Sequence, residues 1–244
     1  MYSFERLKSH TQQSLSNWLD LIFNQACALC DRPTQNTFCL DCQRQLQGTF
    51  DTSLSKLQRA DDTLPVHALA PYAGTLKQAL AALKYNHRPR IGTALGIAAG
   101  QRWKTIAAHP VAHASRDAAP YVVPIPLHLN RQVQRGYNQA EVIARAFCQT
   151  SGLSLMADGL SRVQDTLPQH QLGKQSRRDN LKGAFAISKR LLKKQASARK
   201  PISVLLIDDI YTTGTTIGCA VQTLAKAKIT TTGVVTIARA VWND

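Results

Sequence analysis

Residues 204–216, VLLIDDIYTTGTT, constrain the fold more than any other stretch, because an unbroken apolar run ends in paired aspartates and leads into a hydroxyl-rich loop. Val204, Leu205, Leu206 and Ile207 have the pattern of an interior strand in a parallel sheet covered on both faces. A helix pattern follows over 217–227. Thr212, Thr213, Gly214, Thr215 and Thr216 then fall between a strand's carboxyl end and a helix amino terminus. Unpaired backbone N–H groups and the positive end of the helix dipole make such a place an anion site. Gly214 lets the backbone wrap close to a phosphate. Asp208 and Asp209 would repel each other in an ordinary loop. A ribose offers them two neighbouring hydroxyls, and Mg²⁺ offsets their charge. The stretch therefore suits a ribose 5-phosphate, against the competing reading of a plain strand, turn and helix capped by Asp and Thr. There is no Walker A pattern and no GxGxxG.

The stretch resembles the PRPP-binding motif of type I phosphoribosyltransferases. A second one, YVVPIPLHLNRQVQRGYNQAEVIARAF at 121–147, resembles the central motif of the ComF family, the amidophosphoribosyltransferase-like proteins linked to competence and DNA uptake. Here Val122, Val123 and Ile125 form a short buried strand stopped by Pro124 and Pro126. Arg131, Arg135 and Gly136 precede a helix whose Ala140, Ile143, Ala144 and Phe147 share one face. Arg135 suits bidentate contact with pyrophosphate, and Asn138 and Gln139 suit a base or a loop backbone. A third stretch, 166–185, is polar enough to be a mobile cover ahead of a strand at 184–187, with a solvated basic linker as the alternative. In type I phosphoribosyltransferases such a segment closes over PRPP, and Gln169, Arg177 and Asn180 resemble its recurring polar positions. Lys84-Tyr85, at the end of a helix over 74–84 that follows a strand at 66–72, matches the family's Lys-Tyr pair. The resemblance makes Lys84 a phosphate or pyrophosphate contact, whereas position alone makes it a helix-end lysine. Asn86-His87-Arg88 stands where the family pattern has a glycine. A further helix is expected over 91–106, and then a linker in which His109 and His113 have no evident metal partner.

The amino-terminal part carries different chemistry. Cys27-x2-Cys30, eight intervening residues and Cys39-x2-Cys42 supply four thiolates with the spacing of two zinc knuckles. Four sulfur ligands leave no open coordination position, so the metal is structural and supplies folding energy to a module too short for a core of its own. Two disulfides are the alternative, but nothing in the sequence indicates export. The ComF family also has an amino-terminal zinc finger. Cys148 and Cys219 fall in helical patterns as small core residues.

The chain carries 30 Lys/Arg against 15 Asp/Glu, a net charge of +15. Residues 1–64 hold six basic and seven acidic side chains, while 65–244 hold 24 and eight. The zinc module is thus a poor phosphate-backbone footprint, and the basic surface belongs to the larger domain. Residues 174–200 hold ten basic groups against one acid, among them Lys189, Arg190, Lys193 and Lys194. They form either an electrostatic DNA site or a solvated basic surface. Neither a signal-peptide core nor a membrane-length apolar run occurs in the sequence, which together with free-thiol motifs points to the cytoplasm.

The expected organisation is an amino-terminal helix and four-cysteine zinc module over 1–64, then an α/β domain over 65–244. The latter would have the type I phosphoribosyltransferase-like parallel sheet flanked by helices. The resemblance implies a competence factor that binds PRPP with Mg²⁺ and handles incoming single-stranded DNA or competence proteins. The alternative is an active phosphoribosyltransferase acting on an unidentified nitrogenous acceptor. In that enzyme Asp208, Asp209 and Arg135 would be catalytic, and the Thr loop and Lys84 would hold PRPP.

Overall fold

The computed structural model describes residues 25–50, 64–107, 119–163 and 183–240. Its centre is a four-stranded, all-parallel sheet formed by β3 (Val66–Pro71), β4 (Tyr121–Pro124), β7 (Ser203–Tyr211) and β8 (Thr230–Arg239), in the order β3-β8-β7-β4. The VLLI run lies beside two neighbours in the interior of the sheet, as its unbroken apolarity requires. Alternation along β7 sends Leu205 and Ile207 into one buried cluster and Val204 and Leu206 into the other. The first cluster lies under α2 (Gly74–Tyr85), α3 (Pro89–Ala107) and α5 (Gln139–Ser151). The second lies under α7 (Thr215–Lys226), α6 (Lys189–Ser197) and an antiparallel ribbon of β5 (Leu160–Arg162) and β6 (Phe185–Ile187).

Close helix contact fixes the first layer. At Gly96 of α3 a β-carbon would come 2.4 Å from the carbonyl oxygen of Ile143 in α5, so only glycine permits this approach. Pro89 opens α3 in its first turn, where a missing N–H costs nothing.

The amino-terminal part consists of the two-residue strands β1 (Gln25–Ala26) and β2 (Pro33–Thr34), followed by α1 (Leu40–Gly48). Its Cys27, Ala28, Phe38, Cys42 and Leu46 belong to the same buried cluster as Leu76, Leu80 and Leu83 of α2. Arg88 ties the junction, donating to the Cys27 carbonyl at 3.2 Å and pairing with Asp31 at 2.8 Å.

Three elements differ from expectation. β7 runs through Tyr211, so Asp208 and Asp209 lie within the paired strand, with Asp208 in register with Thr236. α7 begins at Thr215, which puts Thr215 and Thr216 in its first turn and leaves Thr212 to Gly214 as the connection. Arg131 and Arg135 sit on a short helix of their own, α4 (Leu129–Arg135), capped by His128, whose Nδ1 accepts from the Asn130 N–H at 3.3 Å. None of its residues is buried, so it leaves no apolar period in the sequence. The strands at 66–72 and 184–187 and the helices at 74–84 and 91–106 occur within one or two residues of their expected bounds. The cover segment with Gln169, Arg177 and Asn180, the amino-terminal helix, and His109 and His113 lie outside the described residues. Among those described, no helix is long and apolar enough to cross a membrane.

Candidate functional site

At the carboxyl ends of β4 and β7 a cavity of ≈ 470 Å³ opens between α2, α4, α5 and β5. In open parallel sheets ligands bind on this side, where strands end and helices begin. Asp208, Asp209, Lys84 and Gln139 form its floor, and Arg135 and Thr216 line it beside them. Ile125, Pro126 and Leu127 make an apolar wall, and Arg131, Arg162, His87 and Tyr85 complete the lining.

The two carboxylates are adjacent in sequence but differ in environment. Asp209 is 4% exposed, its Oδ2 lies 2.5 Å from Lys84 Nζ, and its Oδ1 accepts from Gln139 Nε2 at 3.4 Å. Burial alone would raise its pKa, but the charge and hydrogen bond of Lys84, with bonds from Asp208 and Gln139, outweigh that and hold the carboxyl below its usual range. Asp208 is pushed well above the carboxylate range, first by burial and then by the negative charge of Asp209. The backbone N–H of Asp209 donates to Asp208 Oδ1 at 2.8 Å and opposes this rise. Lys84 is therefore no solvated helix-end lysine; it is the counter-ion of the buried acid. Its own pKa is raised, because the Asp209 and Asp208 charges overcome the effect of burial.

Gln139, in the first turn of α5, links this pair to Arg135, which donates to its Oε1. Asn138 caps α5 by accepting from the Ala140 N–H and donates to the Ile125 carbonyl at 3.1 Å, fixing loop backbone as its sequence position suggested. His87, within the Asn86-His87-Arg88 stretch that replaces the expected glycine, has φ +50°, in the left-handed region that favours glycine, and its Nδ1 meets the Arg135 carbonyl oxygen at 3.1 Å. Gly214 is the N-cap of α7 at φ +75°, and no side chain caps that helix end. A β-carbon on Gly214 would meet the Tyr211 hydroxyl at 2.4 Å, so the glycine serves packing of the turn as well as any ligand. The Thr213 and Thr215 hydroxyls share a hydrogen bond of 2.8 Å, while Thr216 faces the cavity. Arg162 and Thr236 carried no sequence signal. Arg162 reaches the cavity from the ribbon, and Thr236, the register neighbour of Asp208, has a buried hydroxyl without a hydrogen-bond partner among the described residues.

A separate site lies in the amino-terminal part. The Sγ atoms of Cys27, Cys30, Cys39 and Cys42 lie within 4.8 Å of one another, with Cys30 and Cys39 3.6 Å apart. Tetrahedral zinc with sulfur bonds of about 2.3 Å requires sulfurs about 3.8 Å apart, so the donor set fits. The Cys39 N–H donates to Cys27 Sγ at 3.3 Å, and Arg32 Nε donates to Cys30 Sγ at the same distance. The Arg32 bond draws the Cys30 thiol down to about 6, toward the thiolate that metal binding needs. Cys148 and Cys219 lie apart from this cluster, on α5 and α7. Burial raises the Cys148 thiol to about 11, as for a core residue.

The basic residues of 189–194 form α6, away from the cavity. Lys194 Nζ donates to the Tyr121 hydroxyl at 3.1 Å at the amino end of β4, opposite the end where the cavity opens. Arg190 lies 3.3 Å from Asp158, and Lys189 and Lys193 are exposed without an ion pair among the described residues.

No family profile matches the chain. Competence protein F of Haemophilus influenzae is 33% identical over 119 residues, covering 49% of this chain and 50% of that protein. The chain thus spans about half the length of that relative. DNA utilization protein YhgH of Escherichia coli is 25% identical over 206 residues, covering 82% of this chain and 84% of the relative. Competence protein ComFC of Bacillus subtilis is 25% identical over 209 residues, 85% of this chain and 75% of that protein. Among solved structures, Leishmania donovani UMP synthase aligns with 82% of this chain and 32% of its own, at 11% identity and a TM-score of 0.34, too low to bear on the fold.

Proposed function

Because the chain belongs to the ComF family of competence proteins, we propose that it acts in DNA uptake or in processing incoming single-stranded DNA, and that its cavity binds PRPP. Homology to competence and DNA-utilization proteins supports the competence role. The observation that carries the ligand reading is the cavity at the sheet's carboxyl end, where an acid pair and a helix start face Arg131, Arg135 and Arg162. The acids would accept from the ribose hydroxyls, and the uncapped start of α7 would take the 5-phosphate. The arginines would take pyrophosphate. This arrangement, on a parallel sheet covered by helices on both faces, agrees with a type I phosphoribosyltransferase fold. Asp208 offers hard oxygen donors of the kind Mg²⁺ takes, whereas Asp209 is engaged by Lys84. Bound Mg²⁺ would offset the charge of the pyrophosphate. The four-cysteine cluster would hold one structural zinc.

A transferase reading draws on the same basic groups, which would stabilise departing pyrophosphate as a nitrogen nucleophile attacks C1 of the ribose. A turnover screen over nitrogenous acceptors tests it, and no acceptor-dependent pyrophosphate release would reject it. The competence role is tested by complementing a transformation-deficient strain that lacks its own ComF-family protein. Wild type is expected to restore transformation and Asp208→Asn to fail at equal expression. Equal restoration by both would detach the cavity from the biological role.

A further inference from the structure

We propose that Tyr85 is a stacking platform for a nucleobase at the mouth of the cavity, so that the site takes a 5′-nucleotide in addition to a bare sugar phosphate. This rests on the sugar-phosphate reading of the floor. Tyr85 ends α2, whose Leu76, Ala79, Leu80 and Leu83 are all buried, yet it is 73% exposed. No hydrogen bond holds its hydroxyl among the described residues, so no polar anchor accounts for the aromatic ring there. The ring lines the cavity beside Lys84, and the guanidinium of Arg135 sits 5.9 Å from its centroid. A base entering there meets an aromatic face and a planar cation together, the pairing that holds unstacked bases in nucleic-acid sites.

The layout of the cavity assigns its two halves. Charged groups crowd the floor around Asp208, Asp209 and Lys84, where a ribose phosphate would be satisfied. The Ile125, Pro126 and Leu127 wall and the Tyr85 ring lie where an apolar, π-faced group belongs. The volume of ≈ 470 Å³ is in the range of small-ligand sites. Every base has a π-face, so the ring itself discriminates weakly among bases.

Calorimetric titration of the full chain with ribose 5-phosphate, AMP and a 5′-phosphorylated oligothymidine tests this. Wild type is expected to bind AMP more tightly than ribose 5-phosphate. Tyr85→Ala should weaken AMP roughly 5- to 100-fold, the range for losing one stacked base, while leaving ribose 5-phosphate unchanged. Tyr85→Phe should retain the wild-type ratio. The oligonucleotide sharing the Tyr85 dependence would assign the base to a strand end, and AMP alone showing it would assign a free nucleotide. Equal effects of Tyr85→Ala on both small ligands, or none on AMP, would overturn the platform, as would wild type that binds no AMP. Failure of ribose 5-phosphate alone to bind wild type would instead count against the sugar-phosphate floor.

Discussion

Lys84 and Asp209 form a buried ion pair whose halves cannot be removed separately without cost. Lys84→Met would leave the Asp209 carboxylate buried and unpaired, and should destabilise the fold by about 3–5 kcal/mol at pH 7. The pH dependence has a definite sign. Asp209 is depressed in the folded protein, so its contribution is present above the ordinary carboxylate pKa and is lost as pH falls through the folded value. The gap between wild type and Lys84→Met in urea unfolding should therefore narrow from pH 7 toward pH 3. A gap constant over that range would show that Lys84 acts by packing. The sequence placed Lys84 and the acids in one site only through a family resemblance, because no local pattern says that a helix-end lysine reaches a strand so far along the chain. His87 shows the converse: in the Asn86-His87-Arg88 stretch, where a glycine was expected, its backbone takes the left-handed conformation that favours glycine, which no local pattern announced.

α3 and α4 differ in how much packing holds them. α3 is locked to α5 at Gly96, and Gly96→Ala should cost about 1–3 kcal/mol by forcing the two helices apart. An unchanged melting temperature would contradict that close approach. α4 buries none of its residues and exposes Leu129 and Val133, and its attachments are polar, among them its caps, the His87 contact and the Arg135–Gln139 hydrogen bond. Its amides should exchange with deuterium faster than those of α5, and equal protection would mean that something else covers it. The same physics decides what was legible. β7, α3 and α5 announce themselves by apolar runs or periods because tertiary burial selects those residues. α4 lacks that signal, as does the end of β7, where hydrogen bonding continues through polar Asp208 and Asp209. The ribbon residue Arg162 enters the cavity only through long-range folding.

Over the whole molecule, three surfaces with distinct chemistry are spread around one sheet. Metal analysis under reducing conditions should find one zinc per chain. Chelation should unfold residues 25–50 before the sheet, although Ala28, Phe38 and Leu46 share its core. A fully folded, metal-free amino-terminal part would overturn the zinc assignment. α6 is on the amino side of the strands, so replacing Lys189, Arg190, Lys193 and Lys194 should reduce single-stranded DNA affinity and its salt slope without changing PRPP binding. Fluorescence anisotropy with unchanged affinity and slope would make α6 a solvated basic face. The central claim is the sugar-phosphate cavity, and direct calorimetry with PRPP and Mg²⁺ tests it through Asp208→Asn, since Asp209 also holds Lys84 in place. Wild type should bind and the folded variant should lose roughly tenfold or more in affinity, as expected for losing a carboxyl oxygen that would face the ribose and Mg²⁺. Equal PRPP affinity in the two proteins would contradict the account.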